Sequence, residues 1–491
     1  MTHAAPGAPV NQIEPVRTPF GIIEYKFVVM VLYILSLFMQ IMDGTALNVA
    51  IPSLARQFGV AATDVDWAVI GYLIGLASLL PAGGWLANRF GSRKVFLIAL
   101  GLFVFASLLC GLANSLEQLI AFRVLQGAGS GVMTPIGSAL LISAFPLAER
   151  ARATTIIVGV VVIAPAVGPV LGGFLVEFLN WRWIFFINLP IGAIALSIGL
   201  LWLRSMPQRP SGSLDVLGLV LASAGMTGVL FGISEGPSRG FGSPLILGAL
   251  MIGAALLAGL VMWELQPDSS LLDLSLFRER LFRVCNLMAF PAYMAFMGLI
   301  FVMPILLQSL LGYSALKTGL VMMPQPLGVL IMSQVAGRVL YARIGPRRLF
   351  MVGLFGGFVF TALMSLVDLE TGALTISAVM LGRGLCMALL FVPLQTAVYA
   401  KTEIPDMPNA TTLFSIVRQA APAFGVALAA TWITARGPRT TVDVALSAAE
   451  KLERLGPMQE SLLISGVPFL VAMVIAWFIH DEDAAETMVR R

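Results

Sequence analysis

The chain has 491 residues, of which 58% are hydrophobic and only 11% charged, with a mean hydropathy of +0.92 and a formal net charge of +4. Soluble proteins carry about 25% charged residues, so this composition excludes a soluble domain and describes a polytopic membrane protein. The basic balance, with a pI near 9.1, belongs to loop Lys and Arg and speaks to orientation in a membrane, not to nucleic acid.

A membrane-crossing helix needs about 20 apolar residues. In chain order the sequence predicts fourteen, over 27–47, 65–86, 95–113, 118–141, 153–176, 182–203, 214–234, 244–264, 284–310, 319–341, 349–367, 373–399, 410–434 and 462–480. Residues 1–26 read as a loose cytoplasmic tail without a cleavable signal, and 481–491 as a second tail. Between them lie a six-helix half (27–203), a two-helix insertion with its flanking loops (204–283) and a second six-helix half (284–480). Alternate loops are rich in Lys and Arg, among them Arg89, Arg93 and Lys94; Arg150 and Arg152; Arg278, Arg280 and Arg283; Arg343, Arg347 and Arg348. The positive-inside rule then puts these loops and both termini in the cytoplasm. The loop Ala435–Ser461 has mixed charge and is expected to carry an amphipathic helix lying on the membrane. Cys110, Cys285 and Cys386 fall in apolar segments and read as core residues, and no Cys/His set has metal-ligand spacing.

The two halves echo one another. RFGSRKVF (Arg89–Phe96) recurs as RIGPRRLF (Arg343–Phe350), in each case between the second and third helices of a half. Arg123 opens the fourth span, and Arg383-Gly384 sits similarly in the twelfth. Transporters are commonly built from such repeats, with their site at the repeat interface.

Ionised side chains at membrane depth are costly, about 2.5–3.5 kcal/mol each on the translocon scale, and mark function. Asp43 lies some sixteen residues into the first span. A carboxyl that alternates between dry and wet surroundings can take and release a proton; the alternative is that Asp43 caps the outer end of its helix. Arg123 enters the fourth span from the outer side at similar depth. It is expected to bias a nearby carboxyl, or else to tie helix ends, and Gln126, three residues on, shares its face. The stretch Ala164–Gly173 sets Pro165, Gly168, Pro169, Gly172 and Gly173 in one helix. Such a helix suits a rocking interface between halves, or ordinary close packing. The second half has no acid matching Asp43. Met294, Met297 and Phe301 fall at helical spacing and, with Gln40, Gln325 and Arg383, are candidates to line a substrate cavity; core or lipid contact is the other reading. Arg418 is expected to snorkel from the cytoplasmic third of its helix. The inserted pair, Leu214–Glu264, is expected to wedge or link the halves without forming the central site.

These motifs resemble the major facilitator superfamily and, within it, the fourteen-helix drug:proton antiporters. The resemblance covers nearly the whole chain. It rests on MDGTALNVAIP (Met42–Pro52) in the first helix, GWLANRFGSRK (Gly84–Lys94) in the cytoplasmic loop and RVLQGAGSGVMTP (Arg123–Pro135) in the fourth helix. APAVGPVLGG (Ala164–Gly173) matches the antiporter motif of the fifth, and WRWIFFINLPIG (Trp181–Gly192) is also typical. The resemblance implies an all-α membrane fold of two six-helix halves plus two inserted helices, and export of small amphipathic molecules by alternating access. A dedicated lipid or metabolite exporter of the same fold is the alternative. It implies proton coupling through Asp43, Arg123 and Gln126, and cytoplasmic gate loops at Gly84, Asn88, Arg89, Gly91 and Arg93 and at Arg343, Gly345 and Arg347. Asn88 stands where the family's loop usually has an acid that latches the inward-closed state, and the second loop also lacks one. No nucleophile–base pair or phosphate loop appears. The chain is therefore expected to be no enzyme and to use no cofactor beyond the proton. It is expected to work as a monomer among membrane lipids, with no nucleic acid, whether or not an adaptor completes an export path.

Overall fold

The computed structural model describes residues 15–18, 21–60, 62–206, 212–266, 271–436 and 448–488. Its first elements are a short antiparallel hairpin, β1 (Val16–Thr18) and β2 (Gly21–Ile23), in the register Val16↔Ile23. The tail read as loose thus has a folded part, and Val16 is buried. Helices follow as α1 (Tyr25–Phe58), α2 (Ala62–Leu79), α3 (Gly83–Phe90), α4 (Ser92–Leu112), α5 (Leu116–Ala144), α6 (Leu147–Phe178), α7 (Trp183–Phe186) and α8 (Asn188–Trp202). The inserted pair is α9 (Val216–Arg239) and α10 (Pro244–Glu264). Then come α11 (Arg280–Ile305), α12 (Ala315–Met322), α13 (Pro324–Val335), α14 (Tyr341–Met364), α15 (Ala373–Ala397), α16 (Met407–Arg436) and α17 (Ala448–Ala476).

Twelve stretches among the described residues are long and apolar enough to cross a membrane. One of them, Leu316–Met364, spans 49 residues and breaks at Gly345 (φ 77°, ψ 164°), which divides it into two crossings. The 32-residue helix α6 has the length for another. The fold is consistent with fourteen crossings. The first membrane-competent segment, Tyr25–Leu47, ends where expected, while its helix α1 runs on to Phe58 and closes with Gly59 in the left-handed region (φ 67°). The expected separate amphipathic helix gives way. Residues 437–447 lie outside the described part, and from Ala448 the chain is already the last helix, α17, running without a break into the membrane-competent segment.

The repeat is visible in backbone geometry. Gly91 (φ 90°) and Gly345 (φ 77°) both occupy a region that L side chains rarely adopt, so each loop needs glycine at that point to turn one helix into the next. In each copy the first arginine, Arg89 or Arg343, is exposed, whereas Arg93 and Arg347 are half-buried. We call the face bearing these loops the basic face. Glycines also set the interhelix distance. An added Cβ at Gly127 of α5 would overlap the Tyr72 carbonyl of α2, and one at Gly384 of α15 would overlap the Gln325 carbonyl of α13. These two tight pairs aim Arg123 and Arg383 into their halves. One apolar core lies in the first half around Leu32, Phe96, Phe103 and Ile136; another, around Phe282, Phe350, Phe414 and Phe469 of the second half, reaches across to Trp85 and Ile142 of the first.

Candidate functional site

Asp43 sits midway along α1, with no solvent exposure. Because the helix continues for four turns beyond it, Asp43 caps nothing. Its Oδ2 accepts from Arg123 Nη1. Its Oδ1 accepts from Gln126 Nε2 at 3.0 Å and from Asn188 Nδ2 at 3.1 Å. Arg123 also donates from Nη1 to Gln126 Oε1 (2.8 Å) and from Nε to the Ala68 carbonyl of α2 (3.2 Å). Its guanidinium lies 4.5 Å from the centroid of the Tyr72 ring, a cation–π contact. Four helices of one half, α1, α2, α5 and α8, thus converge on one ion pair. Such a pair has a large desolvation cost that its own attraction roughly offsets, but removing one member leaves an uncompensated charge at a cost of about 3–5 kcal/mol.

The sequence reading brought Asp43, Arg123 and Gln126 together and missed Asn188. Asn188 opens α8, where Pro190 fits the first turn because its missing N–H is not needed there. It donates to Ser107 Oγ (3.0 Å), which in turn donates to the Phe185 carbonyl (2.9 Å). The signal was available: an amide in the apolar run WIFFINLPIG. Asn188 Oδ1 is buried and has no hydrogen-bond partner among the described residues. A buried orphan acceptor is costly, about 1–3 kcal/mol.

The glycine face of α6 packs onto α1 beside Asp43. A Cβ at Gly168 would fall on Thr45 Oγ1, and one at Gly172 would press on Ala46. Gly173 is half-buried on the same helix, and the side chains of Pro165 and Pro169 lie outside the described residues. The described glycines of the motif pack within their own half. Its small residues let α6 approach the acid-bearing helix of its own half. The interhalf contacts of α6 come from its basic-face end, where Thr155 Oγ1 donates to the Ser333 carbonyl (3.1 Å) and Arg150 Nη1 to the Tyr399 carbonyl (3.2 Å).

In the second half Arg383 is equally buried. It donates from Nε to Thr361 Oγ1 (3.1 Å), from Nη1 to Gln325 Oε1 (3.0 Å) and from Nη2 to the Phe296 carbonyl (3.1 Å). The structure therefore brings Gln325 and Arg383 together. Gln40 belongs to the other half, where it accepts from Thr134 Oγ1. Met294 and Met297 are half-buried on α11, and Phe301 packs into an apolar cluster with Leu299 and Val302. Arg418 of α16 is half-buried, with Tyr33 of α1, Tyr293 and Tyr399 in its surroundings.

At the basic face, Gly84 of α3 meets Asn409 of α16 so closely that a Cβ there would overlap the Asn409 side chain. Asn88 is buried nearby. The second loop does obtain an acid, from far along the chain. Asp481 Oδ1 accepts the Arg347 N–H (2.8 Å), and its carboxylate covers Gly345. The segment Asp481–Thr487 is docked rather than a free tail, with Thr487 bonded to Tyr341 (2.7 Å) and Asp483 accepting from Lys401 (2.6 Å). That hydrogen bond holds the Lys401 ammonium above its ordinary range.

The chain matches the family profile described as Major Facilitator Superfamily over residues 33–426 and 285–489. It is 34% identical over 401 residues to the multidrug export protein EmrB of Haemophilus influenzae, covering 80% of this chain and 78% of that one. It is 32% identical over 402 residues to the MFS-type transporter YhcA of Bacillus subtilis, covering 82% and 75%. The human organic anion transporter MFSD10 (TETRAN) superposes with a TM-score of 0.65 at 16% identity, over 92% of this chain and 99% of that one, a likeness of fold.

Proposed function

Because the chain belongs to the major facilitator superfamily, in its drug:proton antiporter branch, we propose that it exports small amphipathic molecules in exchange for protons, by alternating access between its halves. The basic face is then cytoplasmic, the protein sits in the cell membrane with both termini inside, and one chain with its surrounding lipid suffices. The proton is the coupling ion.

The observation that carries the reading is Asp43, a wholly buried carboxylate whose charge is balanced by Arg123 and whose remaining contacts are the donors Gln126 and Asn188. Only Asp43 in this set can gain a proton; Arg123 stays charged at any working pH. Protonation of Asp43 removes the attraction that holds Arg123 to α1. Arg123 keeps the Ala68 carbonyl and Gln126 Oε1 as partners within α2 and α5. A turn of the Asn188 amide then offers its unpartnered oxygen to the new Asp43 hydroxyl. The protonation state thus decides whether α1 and α8 are tied to α5, and Gly168 and Gly172 couple that tie to α6, whose basic-face end touches the other half. Exchange requires that substrate and proton oppose one another's binding, which a site with two such arrangements supplies.

The test uses purified protein in liposomes with ethidium as the transported amphiphile. Ethidium movement against its gradient is expected when a pH gradient is imposed and should stop when an ionophore collapses it. Transport indifferent to the pH gradient would overturn the reading.

A further inference from the structure

The segment that follows α17 is built into the closed seam between the halves. The backbone turns over 477–480 and winds into a tight helical run, Asp481–Thr487. This run packs against α14 and α15 of its own half and against α6 of the first half. Its inner side is apolar: Ala484 has no solvent exposure and belongs to the core that also holds Trp85 and Ile142 of the first half. Its side chains are anchored in the second half. Asp481 Oδ1 accepts the Arg347 N–H (2.8 Å), Asp483 Oδ1 accepts from Lys401 Nζ (2.6 Å), and Thr487 Oγ1 shares a hydrogen bond with the Tyr341 hydroxyl (2.7 Å). Just ahead of the run, Arg280 Nη2 donates to the Phe478 carbonyl (2.9 Å).

The anchor follows from the backbone. Gly345 interrupts the helix, so the Arg347 N–H belongs to the first turn of a new one and lacks an acceptor within it. The positive end of a helix favours a carboxylate, and Asp481 supplies one. At Gly91, the matching glycine of the first half, α4 starts without a side-chain cap. The seam itself is closed by α6. Arg150 Nη1 donates to the Tyr399 carbonyl (3.2 Å), and Thr396 Oγ1 donates to Thr154 Oγ1 (3.5 Å). The turn at 398–401 is thus held twice, at Tyr399 by α6 and at Lys401 by Asp483 of the run. Parting of the halves at the basic face draws α6 away from α14 and α15. A run pinned to α14 and packed on α6 then loses one set of contacts. Those contacts exist in the closed arrangement and not in the open one, so they shift the equilibrium toward closure.

We propose that Asp481–Thr487 is a strap that holds the basic face closed, with Asp481 as its pin and Ala484 as its seal, and that the halves part there when the strap lifts from α6. The proposal goes beyond the export reading and does not depend on it, since closure is measured with neither substrate nor gradient.

The experiment is a pulsed electron spin distance measurement on the full chain in lipid nanodiscs. Labels sit on cysteines placed at Ser205 and Arg348, exposed positions of opposite halves at the basic face. The background is Cys386→Ala; Cys110 and Cys285 are buried. The parent chain should show mainly one short distance, the closed one. Asp481→Ala removes the pin, and Ala484→Trp overfills the sealed space. Each should raise the ratio of open to closed populations at least fivefold, and because they act through different contacts, either one decides the matter if the other does not fold. Asp481→Asn keeps a side-chain oxygen for the Arg347 N–H and should stay within twofold of the parent. Glu482→Ala removes an equal charge from the exposed side of the run and should leave the distances unchanged. Parent-like distances in folded Asp481→Ala or Ala484→Trp would overturn the proposal. So would equal opening in Glu482→Ala, which would reduce the effect to net charge.

Discussion

Arg123 and Arg383 stand on corresponding helices, α5 and α15, each drawn by a glycine against its neighbour and each almost fully buried. Their partners differ. Arg123 meets a carboxylate, an amide and one carbonyl; Arg383 meets a hydroxyl, an amide and backbone carbonyls of α11, the helix that corresponds to α1. The second site is a fixed cation solvated by neutral dipoles, and nothing in it changes charge near neutral pH. The first contains a group that can. One ancestral framework thus holds two buried arginines, one poised as a switch and the other as a brace.

The contrast can be broken most forcefully through stability. Arg123→Met leaves the Asp43 carboxylate buried and uncompensated, at a cost of about 3–5 kcal/mol. Arg383→Met removes a cation and leaves only neutral groups behind. Thermal unfolding in detergent should therefore show the larger loss for Arg123→Met, and adding Asp43→Asn to it should restore most of that loss. Equal losses for the two arginine variants would mean that the halves are energetically alike. Next in size is transport. Asp43→Asn keeps shape and hydrogen bonding with a neutral side chain, and gradient-driven export should fall at least a hundredfold, about 2.7 kcal/mol, while equilibrium binding of the substrate should weaken toward that of the protonated wild type and lose its pH dependence. Asn188→Ala removes one donor to the carboxylate. A hydrogen bond to a charged group contributes about 1.5–3 kcal/mol, so coupled export should drop roughly tenfold in liposome assays, with binding unchanged. The smallest effect comes from making the halves alike. Gln325→Glu sets a carboxyl beside Arg383, and the number of protons moved per substrate, measured from the opposing gradients at zero flux, should rise measurably above the wild-type value.

Much of this architecture was legible in the sequence because membrane depth makes polar residues conspicuous. Asp43, Arg123 and Gln126 announced themselves, and the loop copies at Gly91 and Gly345 announced the repeat. Apolar periodicity marked the helices but not where they stop, since α1 runs on past 47 once its end leaves the bilayer and composition no longer limits it. Asn188 was hidden among neighbours of its own motif, since nothing local ties α8 to α1. Asp481 could not be matched to Gly345 from spacing, because the contact closes a loop of well over a hundred residues. The neighbourhood of Arg418 and Tyr33, which stand in opposite halves, was not legible either, because depth along a helix does not say which face looks inward.

The account turns on Asp43 as the group that exchanges a proton for substrate. Substrate-triggered proton release from detergent-solubilised protein, followed with a pH dye in weak buffer, tests this most directly. Wild-type protein should release protons when substrate is added, and Asp43→Asn should bind the same substrate and release none. Release from Asp43→Asn at the wild-type level would contradict the account and place the proton elsewhere, with Glu177 and Glu235 the next groups to examine.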